Sequence, residues 1–222
     1  MNQKILTYRE VLTVPLGENG ESLVDVCTYD SDIIAKYEQT DMFPYTGERI
    51  FVRDAVARKL AAISTNLFKK GGFRLRIVYG YRHPNVQRKY FERERSALKL
   101  KHGDFSDDAL DEATHLLIAV PEVAGHPTGG AIDLEIVDKS GNSLDFGTRI
   151  ADFSRPEKLP TFAEGLTQEQ ISNRLLLRDS MLREGFAPFN GEWWHFSYGD
   201  REWACYYDRS SSLYSAVEFR DD

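Results

Sequence analysis

Between Arg53 and Lys101 the chain changes from a helical period to an alternating one and back, which neither an all-helical nor an all-strand fold accommodates. Val56, Leu60, Ile63 and Leu67 recur at i, i+4, i+7 and i+11, a single apolar stripe that predicts a helix over 53–69. Gly71 and Gly72 stop it. FRLRIVYGY (73–81) then reads as a strand with Leu75, Ile77 and Tyr79 on one face. Pro84 stands where proline opens a helix at its first turn, and Val86, Tyr90 and Ala97 mark the expected buried side of that second helix.

The remaining segments extend the mixture. Residues 1–25 read as extended or irregular chain, SLVDVCTYD (22–30) as a strand and DMFPYTGER (41–49) as a loop. Ser106 caps a short helix through Leu116. From Ala131 to Val137 the pattern alternates, with Ile132, Leu134 and Ile136 facing one way and Asp133 and Glu135 the other, and DKSGN (138–142) turns the chain into a hairpin. Thr167 and Gln170 form a capping box for a helix that carries Ile171, Leu175 and Leu182 and ends at Gly185. WWHFSY, a Gly199-Asp200 turn and REWACYYD read as a closing pair of strands. With no regular βαβ repeat, the expectation is α+β: one compact domain over 1–222, with a mainly antiparallel central sheet flanked by helices.

Charge narrows the partners. The net charge is −7, and no run of Lys or Arg is dense enough to neutralise a phosphate backbone, so no nucleic-acid partner is expected. The most basic stretch, Gln87 to Lys101, is interrupted by Glu92 and Glu94 and reads as a solvated helix face. No segment approaches the ~18 apolar residues of a membrane span. The first twenty residues lack the apolar core of a signal peptide, so the expected setting is cytoplasmic. Cys27 and Cys205 are too few and too far apart for a metal knuckle or a disulfide framework and read as two buried thiols. The sequence leaves the oligomeric state open.

Five histidines are available for chemistry. His102 lies among Lys and Asp and is expected to be exposed, His115 falls inside the short helix as a partly buried structural residue, and His83 precedes a proline in a loop. AGHPTGGAIDLEIVD (124–138) holds His126 and Asp133 seven residues apart. They are either polar residues at a turn into a structural strand or half of a metal site. His195, in NGEWWHFSYGD, likewise reads either as a satisfied histidine in an aromatic core strand or as a ligand with Glu192 as a nearby base. Residues at i and i+3 of a strand point to opposite faces, so Glu192 and His195 converge only if Glu192 sits on the preceding turn, which Asn190-Gly191 permits.

Taken together, His126, Asp133 and His195 supply two imidazoles and one carboxylate. Three protein ligands with an open position are the pattern of a catalytic zinc site, and Mn²⁺, Fe²⁺ or Co²⁺ suit the same donors. Such a metal polarises a carbonyl and acidifies water, while Glu192 takes the water's proton and passes it to the leaving amine. Arg82, in YGYRHPNVQ, is by itself a surface arginine at a strand end. Beside a zinc site it is suited to an oxyanion or to a substrate carboxylate.

H-x6-D in AGHPTGGAID, E-x-x-H in EWWH and the upstream YR-x-P together resemble the zinc D-alanyl-D-alanine dipeptidases, a family that includes the enzymes of vancomycin resistance and belongs to a wider group of zinc D,D-peptidases. TDMFPYTGERIFVRDAVARKLAAI (40–63) and LDFGT (144–148) are similar to further segments of that family, so the resemblance runs from about residue 22 to 207. It implies His126, Asp133 and His195 as ligands of one zinc per chain, Glu192 as the catalytic base, Arg82 as the transition-state arginine and Asp145 as an acidic position near the substrate amino group. It also implies a compact α+β fold and a small D-amino-acid dipeptide substrate, D-Ala-D-Ala or one like it. Two positions depart from the pattern. Ala124 stands where the resistance enzymes carry serine, and Tyr79 where an acidic residue is common. Both departures spare the zinc ligands and remove polar contacts to a small zwitterion. A carboxypeptidase or endopeptidase acting on longer peptidoglycan stem peptides shares the metal set but needs an open groove. A non-catalytic zinc domain on the same scaffold is disfavoured by the presence of Glu192.

Overall fold

A computed structural model describes residues 4–221. The irregular start expected at residues 1–3 lies outside the described residues. The alternating run at the centre of the sequence becomes the central strand, β5 (Ala131–Val137), and all seven of its residues are buried. Its hydrophobic face meets the core, and its polar face, with Asp133 and Glu135, is covered as well. Around it lie β1 (Leu23–Asp25), β2 (Ile34–Ala35), β3 (Phe51–Arg53), β4 (Arg74–Tyr79), β6 (Ala187–Pro188) and β7 (His195–Ser197). The main sheet has the order β2-β4-β5-β7-β6, and β1 and β3 form a separate antiparallel pair. Within the main sheet only the β2–β4 pairing is parallel, so the expected mainly antiparallel α+β architecture is present.

The helices are α1 (Tyr8–Leu12), α2 (Phe43–Thr46), α3 (Asp54–Gly71), α4 (Pro84–Lys101), α5 (Asp107–His115), α6 (Gln168–Arg183) and α7 (Arg201–Tyr206). The α3 stripe of Val56, Leu60, Ile63 and Leu67 is buried, and the helix packs on β1, β3, β4 and α6. Burying each of those side chains contributes about 1.5–3 kcal/mol against the entropy of ordering the chain. Gly72 ends α3 in the left-handed region with φ 70°. On the other side of the molecule α1 touches α5 and α7, and α4 packs on α5. No helix among the described residues is long and apolar enough to cross a membrane.

Several local expectations are corrected. The expected irregular N-terminal segment contains α1, nucleated by a Thr7–Glu10 capping box, and the loop at 41–49 contains the single turn α2. The buried side of α4 is Val86, Gln87 and Phe91, whereas Ala97 is exposed, because α4 packs mainly through its first turns. On α6 the buried face carries Arg174, Leu177, Arg178 and Met181 while Ile171 is exposed. Apolar periodicity misses this face because Arg174 is satisfied by main-chain acceptors, donating to the carbonyls of Phe146, Lys158 and Pro160. The DKSGN turn forms around Asp138, but the pairing beyond it is one bridge, Val137 to Ser143. Cys27 and Cys205 are free and half-buried rather than buried. The largest correction is at 201–206, where the expected strand is the helix α7. Asp200 caps it by accepting the Trp203 N–H at 2.8 Å, and that end-cap outweighs the alternating pattern.

Candidate active site

Strand register assembles the site. In the β5–β7 ladder Asp133 lies directly opposite His195, and in the β4–β5 ladder Tyr79 pairs with Asp133 just past an irregularity between Ile77 and Tyr79. His126 arrives from a 3₁₀ turn at His126–Thr128, which Gly129 closes at φ 74° before β5 begins. Asp133 Oδ1 is 2.8 Å from His195 Nδ1, and Asp133 Oδ2 is 3.3 Å from His126 Nε2. One donor atom from each of these residues lies within 4.8 Å of the other two. The imidazole planes are inclined at 73° with centroids 5.0 Å apart, so both rings direct a nitrogen toward the same carboxylate without stacking.

The donor set fits a divalent metal. His126 Nδ1–H donates to the Gly80 carbonyl at 2.7 Å, which leaves the Nε2 lone pair facing Asp133 and His195. Two imidazoles and a carboxylate without thiolate suit zinc in a three-ligand site. Burial disfavours charge on His126 and lowers it to about 4, Asp133 opposing that shift only in part, so the ring is neutral at pH 7, the form that metal binding requires. Burial also opposes charge on Asp133, but His126 and His195 outweigh it and hold the carboxyl well below the usual range. On His195 burial is again outweighed, here by the hydrogen bond and charge of Asp133 with help from Glu202 and Glu192, and the ring is lifted to about 9.

Gly80 permits the His126 contact. A Cβ there would stand 2.5 Å from the Phe51 carbonyl oxygen and 2.9 Å from side-chain carbons of Ile50 and Val52. The backbone of β3 cannot yield as a flexible side chain would. Gly80→Ala is therefore expected to destabilise the chain by about 1–3 kcal/mol, as overpacking does, and to weaken metal binding because the carbonyl that orients His126 is displaced. Thermal unfolding and metal titration measure the two effects. Wild-type values in both would show that β3 has room to move.

Glu192 sits, as the spacing requires, on the turn before β7: its N–H donates to the Phe189 carbonyl, and the His195 N–H donates to the Glu192 carbonyl. Burial pushes its carboxyl up to about 8, while His195 and Arg82 pull it down and Asp133 adds to the rise. Arg82 is buried rather than a surface residue. Its guanidinium lies 4.3 Å over the Tyr79 ring and 5.1 Å from that of Tyr90, and Nη1 donates to Gln87 Oε1 at 2.9 Å. Tyr79 and Tyr90 both donate to Asp41 Oδ2, at 2.6 and 2.5 Å, which fixes the two rings around Arg82. Among the described residues no carboxylate forms an ion pair with Arg82, and its Nε has no partner. Arg82, His126, Asp133, Glu192 and His195 all line one cavity of about 290 Å³.

Asp145 is not brought to this group. It is exposed and is absent from the cavity wall; its carboxylate accepts from Gly147 N and Gln170 Nε2, turned toward the start of α6. The other histidines stand outside the His126–Asp133–His195 cluster. His83 is buried as the cap of α4 and stacks on Tyr45, His115 lines the cavity and accepts the Val120 N–H, and His102 is half-exposed where α4 ends. Trp194 lines the cavity, whereas Trp193 stacks on Phe146 and donates to Thr148. Sequence reasoning missed Glu202, Glu38 and the Tyr79–Asp41–Tyr90 cage. Asp200 two residues ahead of Glu202 was the available signal for the first, since it marks a helix start. The cage has no local signature because Asp41 and Tyr90 are 49 residues apart.

The chain is similar to known peptidases. A family model described as peptidase M15, D-ala-D-ala dipeptidase, matches residues 18–215. A D-alanyl-D-alanine dipeptidase of Synechocystis is 33% identical over 94 residues, covering 38% of each chain. One of Escherichia coli K12 is 36% identical over 73 residues, covering 33% of this chain and 37% of that one. The alignments thus span little more than a third of the length of these curated relatives. A zinc complex of a vancomycin-resistance D,D-pentapeptidase VanY mutant is similar at a TM-score of 0.43 and 19% identity, covering 74% of this chain and 82% of the other. With the family match running through nearly the whole described chain and enclosing His126, Asp133 and His195, the chain belongs to the peptidase M15 family of D-Ala-D-Ala dipeptidases.

Proposed function

We propose that this chain is a zinc-dependent peptidase, carrying one zinc, that hydrolyses D-Ala-D-Ala or a closely similar D-amino-acid dipeptide. The observation that carries the reading is the convergence of His126, Asp133 and His195 in one cavity with Glu192 and Arg82. His126 Nε2, a carboxylate oxygen of Asp133 and His195 Nδ1 hold the metal. When bound, zinc supplies Lewis acidity, polarising the scissile carbonyl and acidifying water. Glu192 takes the proton of the attacking water and delivers it to the amine nitrogen as the C–N bond breaks. Arg82, gripped by two tyrosines and carrying no carboxylate partner, faces the negative charge of the substrate, either the developing oxyanion or the terminal carboxylate. The cavity volume suits a dipeptide, since about 300 Å³ is the lower end of small-molecule sites. The reading includes a cytoplasmic setting, for which the two free thiols are the support.

A dipeptide's ammonium needs a carboxylate, and Asp145 points elsewhere. The cavity's lining carboxylates are Glu38, Asp133, Glu192 and Glu202, and Glu38 alone of these stands apart from the histidines. Glu38→Gln is expected to raise KM about tenfold with kcat little changed, the loss of one charge-assisted contact. Steady-state kinetics on D-Ala-D-Ala decide it, and an unchanged KM removes Glu38 from the substrate site.

The direct test is metal analysis of protein purified without added metal, followed by incubation with D-Ala-D-Ala and assay of free D-Ala. About one zinc per chain with release of D-Ala supports the reading. Zinc without release, and activity instead on longer peptidoglycan stem peptides, moves the assignment to a carboxypeptidase. A chain that binds no metal on titration overturns it.

A further inference from the structure

We propose that Glu202 is a positioning residue for His195, holding the far nitrogen of the imidazole so that Nδ1 is presented to the metal. The proposal rests on the zinc reading above and adds a residue to it. His195 turns Nδ1 to Asp133 at 2.8 Å, which leaves Nε2 on the opposite edge of the ring. Glu202 Oε2 lies 3.9 Å from that Nε2, and both side chains are largely buried. The other oxygen, Oε1, is buried without a hydrogen-bond partner, and among the described residues His195 is the one cation within ion-pair distance of Glu202.

The helix at 201–206 creates this contact. Asp200 caps its first turn, and Trp203 is anchored by its indole N–H on the Gly185 carbonyl at 2.9 Å, so Glu202 between them is held toward His195 of β7.

The chemistry follows from the tautomer. An imidazole that binds a metal through Nδ1 carries its proton on Nε2, and that N–H is buried here. A carboxylate accepting it fixes the ring's rotation and raises the basicity of the ligating nitrogen. The 3.9 Å separation is that of an ion pair, and a modest side-chain movement turns it into a charge-assisted N–H···O contact. His126 is held in the complementary way, through its Nδ1 on the Gly80 carbonyl.

The experiment is zinc affinity by chelator competition on wild type and Glu202→Gln, alongside the visible spectrum of the cobalt-substituted proteins. Glutamine keeps the shape and removes the charge. Zinc affinity is expected to fall about 10–100-fold, the usual effect of losing such a partner, with altered cobalt bands and a cooperative unfolding transition that shows the metal-free variant is folded. Affinity within about threefold of wild type with an unchanged cobalt spectrum overturns the proposal. Should the variant not fold, nitrogen NMR of the wild-type zinc form gives the answer. A slowly exchanging proton on His195 Nε2 supports the contact, and a freely exchanging one overturns it. Failure of wild type itself to bind zinc is a different result, which overturns the zinc reading together with this one.

Discussion

Glu192→Gln is expected to lower turnover of a D-amino-acid dipeptide by about 10²–10⁴-fold, the range a positioned general base supplies, while zinc stays bound. Glutamine has the size of glutamate and fits the same turn between Phe189 and His195, so the loop hydrogen bonds of the backbone survive. It cannot accept the water's proton. Glu192 lies outside the cluster of His126, Asp133 and His195, so its replacement leaves all three donors in place. The checks are kcat/KM and metal content measured on the same preparation. Loss of metal, or of the fold, would mean that Glu192 supports the site rather than acting in it. Unchanged turnover would place the proton transfer elsewhere.

His126→Ala and His195→Ala are each expected to lose stoichiometric zinc, and with it activity. A quarter to a third of a zinc-site free energy of about 10–16 kcal/mol is about 3–5 kcal/mol, or about 10²–10⁴-fold in affinity. The two variants should differ once the metal is removed. His126→Ala strips the Gly80 carbonyl of its buried donor, which costs the metal-free fold about 1–3 kcal/mol. His195→Ala leaves Asp133 and Glu202 facing one another without the cation between them, a buried unpaired charge that costs about 3–5 kcal/mol. Zinc titration with denaturant unfolding of the metal-free proteins tests both. A variant that retains wild-type affinity removes that histidine from the ligand set.

The convergence of the three residues proposed as metal donors was readable in the sequence because turn chemistry and strand alternation are local. The Pro-Thr-Gly-Gly segment predicts a turn before β5, alternation puts Asp133 on one face, and Asn190-Gly191 places Glu192 ahead of the strand. The three-residue spacing of Glu192 and His195 then resolves as a turn followed by a strand. What was not readable depends on long-range partners. Arg174 and Arg178 are buried in a helix whose apolar residues mislead, since only the carbonyls of distant loops satisfy Arg174. Asp145 has the composition of a substrate ligand, yet Gly147 and Gln170 already occupy its oxygens. The aromatic residues after Gly199 look like a strand until Asp200 is recognised as a cap. In each case the pattern within a window was correct and the deciding partner lay outside it.

On the zinc reading proposed above, the pairing of Asp133 with His195 across β5 and β7 makes metal uptake a lock on the sheet's alignment. A slip of one residue in that ladder would carry one donor to the opposite face, so a slipped chain cannot hold the ion. Zinc at a hundred times its dissociation constant adds about 2.7 kcal/mol to the aligned state alone. Amide protons of β5 and β7 should accordingly exchange more slowly in the zinc form than in the stripped protein. The proposed ion would then also proofread the fold, and zinc shortage would leave chains that are loose at their own centre.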